Sequence, residues 1–181
     1  MKMMSNRYNL SNIADINDKK IFFDTNILLY LFWATGSSWE KTYANLYSRL
    51  NHQNNSYVID FLVISEFINR AIKMEYQNYL DENGLTSKEY KYKDYRDSQD
   101  GKEALKDIYT IVSSEILDSF EVVEKAYSSD AISSMFIVDN LDFTDKAIEK
   151  ICSENSFILL TNDRDFKDSR IDILSCNKNL K

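Results

Sequence analysis

Four short apolar runs, at residues 20–24, 57–60, 120–123 and 157–160, alternate with stretches whose apolar residues recur every three or four positions. The runs are rich in β-branched and aromatic residues and have the length of buried strands, whereas the intervening stretches have the period of helices. This alternation confines the chain to the α/β class, with a parallel sheet and helices on both of its faces. Helices are expected at 27–33, at 39–51 (Trp39, Tyr43, Leu46, Tyr47 and Leu50 on one face), at 61–73, at 103–118 and at 143–154. Another is expected at 126–138, with Ala126, Ile132, Met135 and Phe136 inward, and Ile171 with Ile173 closes the alternation.

Residues 74–107 change character: Tyr, Lys, Asp and Glu dominate, and Gly84 and Gly101 are two of only three glycines. No second core is legible there, which leaves a helical hairpin insertion or a mobile lid. The chain therefore reads as one domain over 1–181, with a helical, charged insertion at about 74–118.

Function is bounded by charge and by what the composition lacks. A net charge of −7 argues against a surface coated for non-specific nucleic-acid binding. It leaves room for a nucleic-acid enzyme, whose site carboxylates add to the negative count and are masked by metal. No apolar run approaches the ~20 residues of a membrane helix, and no secretory signal is visible at the N-terminus. Cys152 and Cys176 form neither a metal spacing nor a disulfide framework, so a reduced cytoplasm is the expected compartment.

Four acids stand at the transitions between elements. Asp24 ends the first run, Glu66 enters the helix after the second, Asp145 lies in the first turn of the helix at 143–154, and Asp163 follows the fourth run. In an open parallel sheet those places share one edge, the crevice beyond the carboxyl ends of the strands. From Asp145 to Glu154 a helix climbs about 13 Å at ~1.5 Å per residue. The strand from Phe157 to Thr161 returns about as far at ~3.3 Å per residue, so Asp163 is expected beside Asp145. Two unit charges about 5 Å apart repel by roughly 3 kcal/mol at an effective dielectric near 20. A gathered quartet therefore needs a cation, and oxygen ligands suit Mg²⁺ or Mn²⁺. The chemistry is that of a metal-dependent phosphodiesterase.

Each acid also has an ordinary structural reading. Asp24 can cap the helix that follows it, and Glu66 can pair with Arg70 four residues on. Asp142 can cap the helix at 143–154, with Asp145 serving the helix dipole, which makes Asp142 the rival third ligand. Asp163 and Asp165 can form an Asx turn.

Phe23, Asp24, Thr25 and Asn26, then Val63, Ile64, Ser65 and Glu66, then Asp145 with Ile148, then Thr161, Asn162, Asp163, Arg164, Asp165 and Phe166 together resemble PIN-domain nucleases, a family that includes the VapC-type toxin ribonucleases. The likeness covers residues 20–70 and 119–175. It implies a three-layer α/β/α sandwich and an Mg²⁺- or Mn²⁺-dependent endoribonuclease leaving 5′-phosphate and 3′-hydroxyl ends. By position it implies Asp24, Glu66, Asp145 and Asp163 as catalytic ligands, Asp165 as an accessory acid, and Asn26 and Thr161 as polar supports. Arg164 and Lys167 would hold the scissile backbone, with Lys146 beside the third acid, while Tyr30 and Trp33 are candidates for base stacking or core packing. It also implies RNA as substrate, an antitoxin partner and a homodimer. Two other readings fit the same residues: an inactive PIN-like module that binds a partner or RNA, and a structure-specific DNA nuclease.

Overall fold

The computed structural model describes residues 5–180. Six parallel strands form one sheet in the order β1-β6-β5-β2-β3-β4: β1 (Arg7–Tyr8), β2 (Lys20–Phe23), β3 (Ser56–Ile59), β4 (Glu121–Val122), β5 (Ile158–Leu160) and β6 (Ile173–Leu174). With helices on both faces this is the three-layer α/β/α arrangement expected from the alternation. Ile21, Phe22 and Phe23 of β2 and Leu159 of β5 are wholly buried, as strands covered on both faces must be. The edge strand β1 carries no apolar signal. It is held by Arg7, whose guanidinium donates to the carbonyls of Ile171 at 2.8 Å and Ser169 at 2.5 Å.

Polar side chains start most of the helices. Asp24 caps α1 (Thr25–Phe32), Asp60 caps α3 (Phe61–Asn83), Ser98 caps α5 (Gln99–Ile111), Ser128 caps α7 (Ser129–Ser133) and Asp142 caps α8 (Phe143–Asn155). Each supplies an oxygen to an N–H left unpaired in the first helical turn. The helix expected at 39–51 is α2 (Glu40–Leu50). No helix among the described residues is long and apolar enough to cross a membrane.

Two expectations are corrected. The helix expected to end at Lys73 runs on as α3 to Asn83 and stops at Gly84, which sits in the left-handed region at φ 62°. The segment beyond continues as helices packed on α3. Tyr95 of α4 (Tyr92–Asp97) is 3% exposed and packs with tilted rings against Tyr76 and Tyr79 of α3, and Ile108 of α5 is fully buried. Its core is built of tyrosines, which apolar periodicity does not register. The second correction concerns 126–138, where α7 spans five residues and only Met135 is buried. Ile132, Phe136, Ile137 and Val138 face outward, because the helix ends at Ser133 and is too short to carry an apolar stripe.

Gly101 has a specific steric role. A Cβ there would stand 2.1 Å from the Tyr95 carbonyl oxygen and 2.9 Å from the Arg96 Cα, both backbone atoms that cannot swing aside. Alanine normally favours a helix by about 1 kcal/mol over glycine. Here Gly101→Ala is expected to destabilise by about 1–3 kcal/mol, because overlap with backbone outweighs propensity. Urea unfolding measures it, and an unchanged midpoint would show that α4 and α5 are not so closely joined.

Candidate active site

The strand order reverses between β2 and β5: from β2 the chain proceeds to β3 and β4 on one side, then returns to place β5 and β6 on the other. Ligand crevices of open α/β sheets form at such a point, outside the carboxyl ends of the strands. Asp24 leaves β2 and Asp163 follows β5 at that reversal. Phe23 and Leu160 are register partners, and the Asp24 N–H donates to the Leu160 carbonyl at 3.0 Å.

Two threonines tie three of the acids together. The Thr25 N–H donates to Asp24 Oδ1 at 2.7 Å, while its hydroxyl donates to Glu66 Oε2 at 2.9 Å. The Thr161 hydroxyl donates to Asp24 Oδ2 at 2.5 Å and accepts from the Asp163 N–H at 2.9 Å. Asn26 Nδ2 gives Asp24 Oδ2 a further donor at 2.6 Å. Asp24, 6% exposed, is thus fixed from three sides. Asp145 reaches the group from α8, where its charge faces Asp24 and Asp163.

The electrostatics report crowding. Burial pushes the Asp24 carboxyl up, the Thr161 and Thr25 bonds hold it down, and Glu66 and Asp163 push it up again, to about 6. Asp145 is pushed up to about 7, by burial first and then by Asp142, Asp24 and Asp163. Asp142 is exposed and spends Oδ1 on the Asp145 N–H at 2.8 Å, the geometry of a helix cap. It does not appear among the charges that shift Asp24.

The donors are all carboxylate oxygens, and His52, the only histidine, is exposed in the turn after α2. That set suits a hard divalent cation, and Asp24 and Asp145 are raised by burial first and by neighbouring carboxylates after it. Among the described residues no three His, Cys, Asp or Glu side chains stand in ready-made ligand geometry.

Beside the acids lies a groove of about 380 Å³ whose walls include Asn26, Tyr30, Trp39, Arg70 and Arg164. Tyr30 stacks on Tyr43 with ring centroids 5.6 Å apart and planes at 21°. Of the other residues singled out in the sequence, Asp165 is exposed and its N–H donates to Asp163 Oδ1 at 3.0 Å, within the Asx turn. Lys167 is exposed and takes no part in the groove wall. Lys146 turns away from the acids to pair with Asp139 at 3.0 Å. Trp33 is also elsewhere, its indole donating to Glu75 at 3.1 Å.

Sequence reasoning missed the support beneath the groove. The Tyr43 hydroxyl meets Asn162 Oδ1 at 2.9 Å and Ser175 Oγ at 3.3 Å and accepts from the Cys176 N–H at 3.2 Å. The Asn162 N–H in turn donates to Asn26 Oδ1 at 3.2 Å. Tyr43 looked like one apolar tooth of α2; only its wholly buried hydroxyl marks it as polar support, and burial is not written locally.

A parallel sheet with an acidic crevice at its reversal point defines an α/β protein whose candidate site suits a divalent cation. The PIN domain family matches residues 21–171, and the chain belongs to that family. PIN domains are generally nucleases that use divalent metals. No curated protein sequence matches the chain. Among solved structures it is similar to VapBC2 from Rickettsia felis bound to a DNA fragment from its promoter. The TM-score is 0.52 at 16% identity, over 86% of this chain and 98% of that one. It is also similar to PAE2754 from Pyrobaculum aerophilum, with a TM-score of 0.47 at 15% identity over 87% and 90%.

Proposed function

We propose that this chain is a metal-dependent endoribonuclease acting in the cytoplasm. What supports the reading is the threonine-bridged set of Asp24, Glu66 and Asp163 at the β2–β5 reversal, with Asp145 facing Asp24 and Asp163 from α8. In this reading the four hold Mg²⁺ or Mn²⁺, with Asp165 as an accessory acid. When bound, such ions activate a water and stabilise the departing 3′ oxygen. Thr161, Thr25 and Asn26 fix the Asp24 carboxylate, so its oxygens need no reorganisation. Arg164 and Arg70 supply phosphate contacts in the adjoining groove, and Tyr30 and Trp39 offer ring faces on which unpaired bases stack.

A parallel digest of single-stranded RNA, single-stranded DNA and branched DNA, with Mn²⁺ or with chelator, tests it. Cleavage of the RNA alone, abolished by chelator, is expected. Preference for branched DNA would replace the substrate, and neither turnover nor Mn²⁺ binding by calorimetry would leave a non-enzymatic module. Arg164→Ala should raise KM about 5- to 30-fold with kcat little changed, the signature of a lost phosphate contact made equally in ground and transition states.

The fold shared with VapBC2 supports a toxin held by an antitoxin partner. A short reading frame for a DNA-binding protein immediately upstream, whose product co-purifies with this chain and silences it, is the expected finding. A homodimer has an apolar surface available in Phe136, Val138 and Phe143, all exposed, and light scattering measures the mass.

A further inference from the structure

A second groove, of about 340 Å³, lies between α3 and α5 and shares no wall residue with the groove beside the acids. On α3, Glu75, Tyr79 and Glu82 fall at i, i+4 and i+7; on α5, Asp100, Glu103 and Asp107 fall at i, i+3 and i+7. Each set is therefore one stripe of its helix, and the two stripes form opposing walls. Five carboxylates line a groove that has no lysine, arginine or histidine in its wall. None of the five forms an ion pair among the described residues. Their hydrogen-bond partners are neutral: Trp33 and Asn78 donate to Glu75, and Gln99 donates to Glu103.

Tyr95 supplies an independent observation. It is 3% exposed, its ring is held by Tyr76 and Tyr79 at centroid distances of 5.7 and 5.2 Å, and it lines the groove. Among the described residues its hydroxyl takes part in no hydrogen bond, and it is not enclosed as the ring is, so it stands open to the groove. Burial, Glu75 and Asp100 push the phenol up to about 12, so it remains a neutral hydroxyl surrounded by negative charge.

Those features select the occupant. The walls repel a phosphate chain. A single metal ion does not span these walls, because the acids are spread along two helical turns, about 10 Å. An extended cation remains. We propose that this groove docks a basic peptide segment of a partner protein, arginine side chains pairing with the two acidic stripes and one guanidinium lying over the Trp33 and Tyr79 rings to reach the Tyr95 hydroxyl. Arginine suits the place better than lysine, since its planar fork matches carboxylates and stacks on aromatic faces. Nothing in this depends on the chain cutting RNA.

The test is fluorescence anisotropy with a labelled hexa-arginine peptide and the full chain. Combining Glu82→Gln, Asp100→Asn and Asp107→Asn should weaken binding at least about tenfold, whereas the equal charge change Asp15→Asn, Asp118→Asn and Glu124→Gln elsewhere on the surface should weaken it less than about twofold. Tyr95→Phe, which keeps the ring packing, should weaken it about threefold with unaltered Tm, and hexa-lysine should bind more weakly than hexa-arginine. Equal losses in both charge sets would overturn the proposal by showing attraction to net charge alone. A loss confined to Asp24→Asn or Asp163→Asn would overturn it by moving the peptide to the acidic crevice. Binding of labelled oligo-uridine that the groove substitutions abolish would overturn it in favour of nucleic acid.

Discussion

If the proposed chemistry holds, Asp24→Asn and Asp163→Asn are each expected to lower metal-dependent cleavage by about 10²–10³-fold, the size of effect seen when one stabiliser of developing charge is removed from an active site. The fold is expected to survive both, with far-UV circular dichroism as the check. In Asp163→Asn the side-chain oxygen still accepts from the Asp165 N–H, so the 3₁₀ turn Arg164–Asp168 keeps its cap. In Asp24→Asn one side-chain oxygen still caps α1, but the new amide faces Asn26 Nδ2, a donor against a donor. Asp24→Asn thus loses a ligand charge and the arrangement that orients it, and it should be the more damaged of the two. Metal-dependent cutting at wild-type rate by both variants would remove the proposed chemistry, whatever the fold.

Without metal, the protein is expected to gain about 2–3 kcal/mol of stability as pH falls from 8 to 5, with Tm rising by about 5–10 °C. Asp24 and Asp145 both titrate higher in the folded chain, about 6 and about 7, than an ordinary aspartate. Such a raised group contributes stability that is present in full below the ordinary aspartate range and lost as pH rises through the folded value. The relevant window therefore lies between about pH 4 and pH 8. One pKa unit corresponds to about 1.4 kcal/mol, and half-exposed Asp145 is taken at about half its face value because solvent screens it. Asp145→Asn should make the pH profile shallower and raise Tm at pH 8 in chelator. Mn²⁺ at about a hundred times its Kd should add about 2.7 kcal/mol at pH 8 and less at pH 5, where protons compete for the same oxygens. A profile that falls steadily from pH 8 to pH 5 in chelator would show that the crevice carries no crowded charge.

Much of this architecture could be read in advance, and the misreadings share a cause. Strands β2, β3 and β5 announce themselves because burial on both faces demands unbroken apolar runs. The strand β1 does not, since what holds Arg7–Tyr8 is a set of guanidinium bonds to carbonyls more than 160 residues away. Tyr76, Tyr79 and Tyr95 read as a solvated, charged stretch because tyrosine is neutral to periodicity, yet their rings form the packing that binds α4 and α5 to α3. Residues 132–138 erred the other way: apolar spacing alone could not reveal a helix that ends after five residues.

The acids show the division most sharply. The sequence by itself determined an alternating α/β chain, which places Asp24, Glu66, Asp145 and Asp163 at strand ends and helix starts. It could not choose between site and scaffold, and the local structural readings all hold: Asp24 caps α1, Glu66 pairs with Arg70 at 3.4 Å, Asp142 caps α8, and Asp163 closes an Asx turn. Local hydrogen bonding is fixed by neighbours within a few residues, so it looks the same whether or not another carboxylate stands opposite. Only the reversal of strand order between β2 and β5 brings Asp24 onto the hydroxyl of Thr161, 137 positions away. That convergence, with the repulsion it forces on Asp24 and Asp145, belongs to the tertiary structure alone.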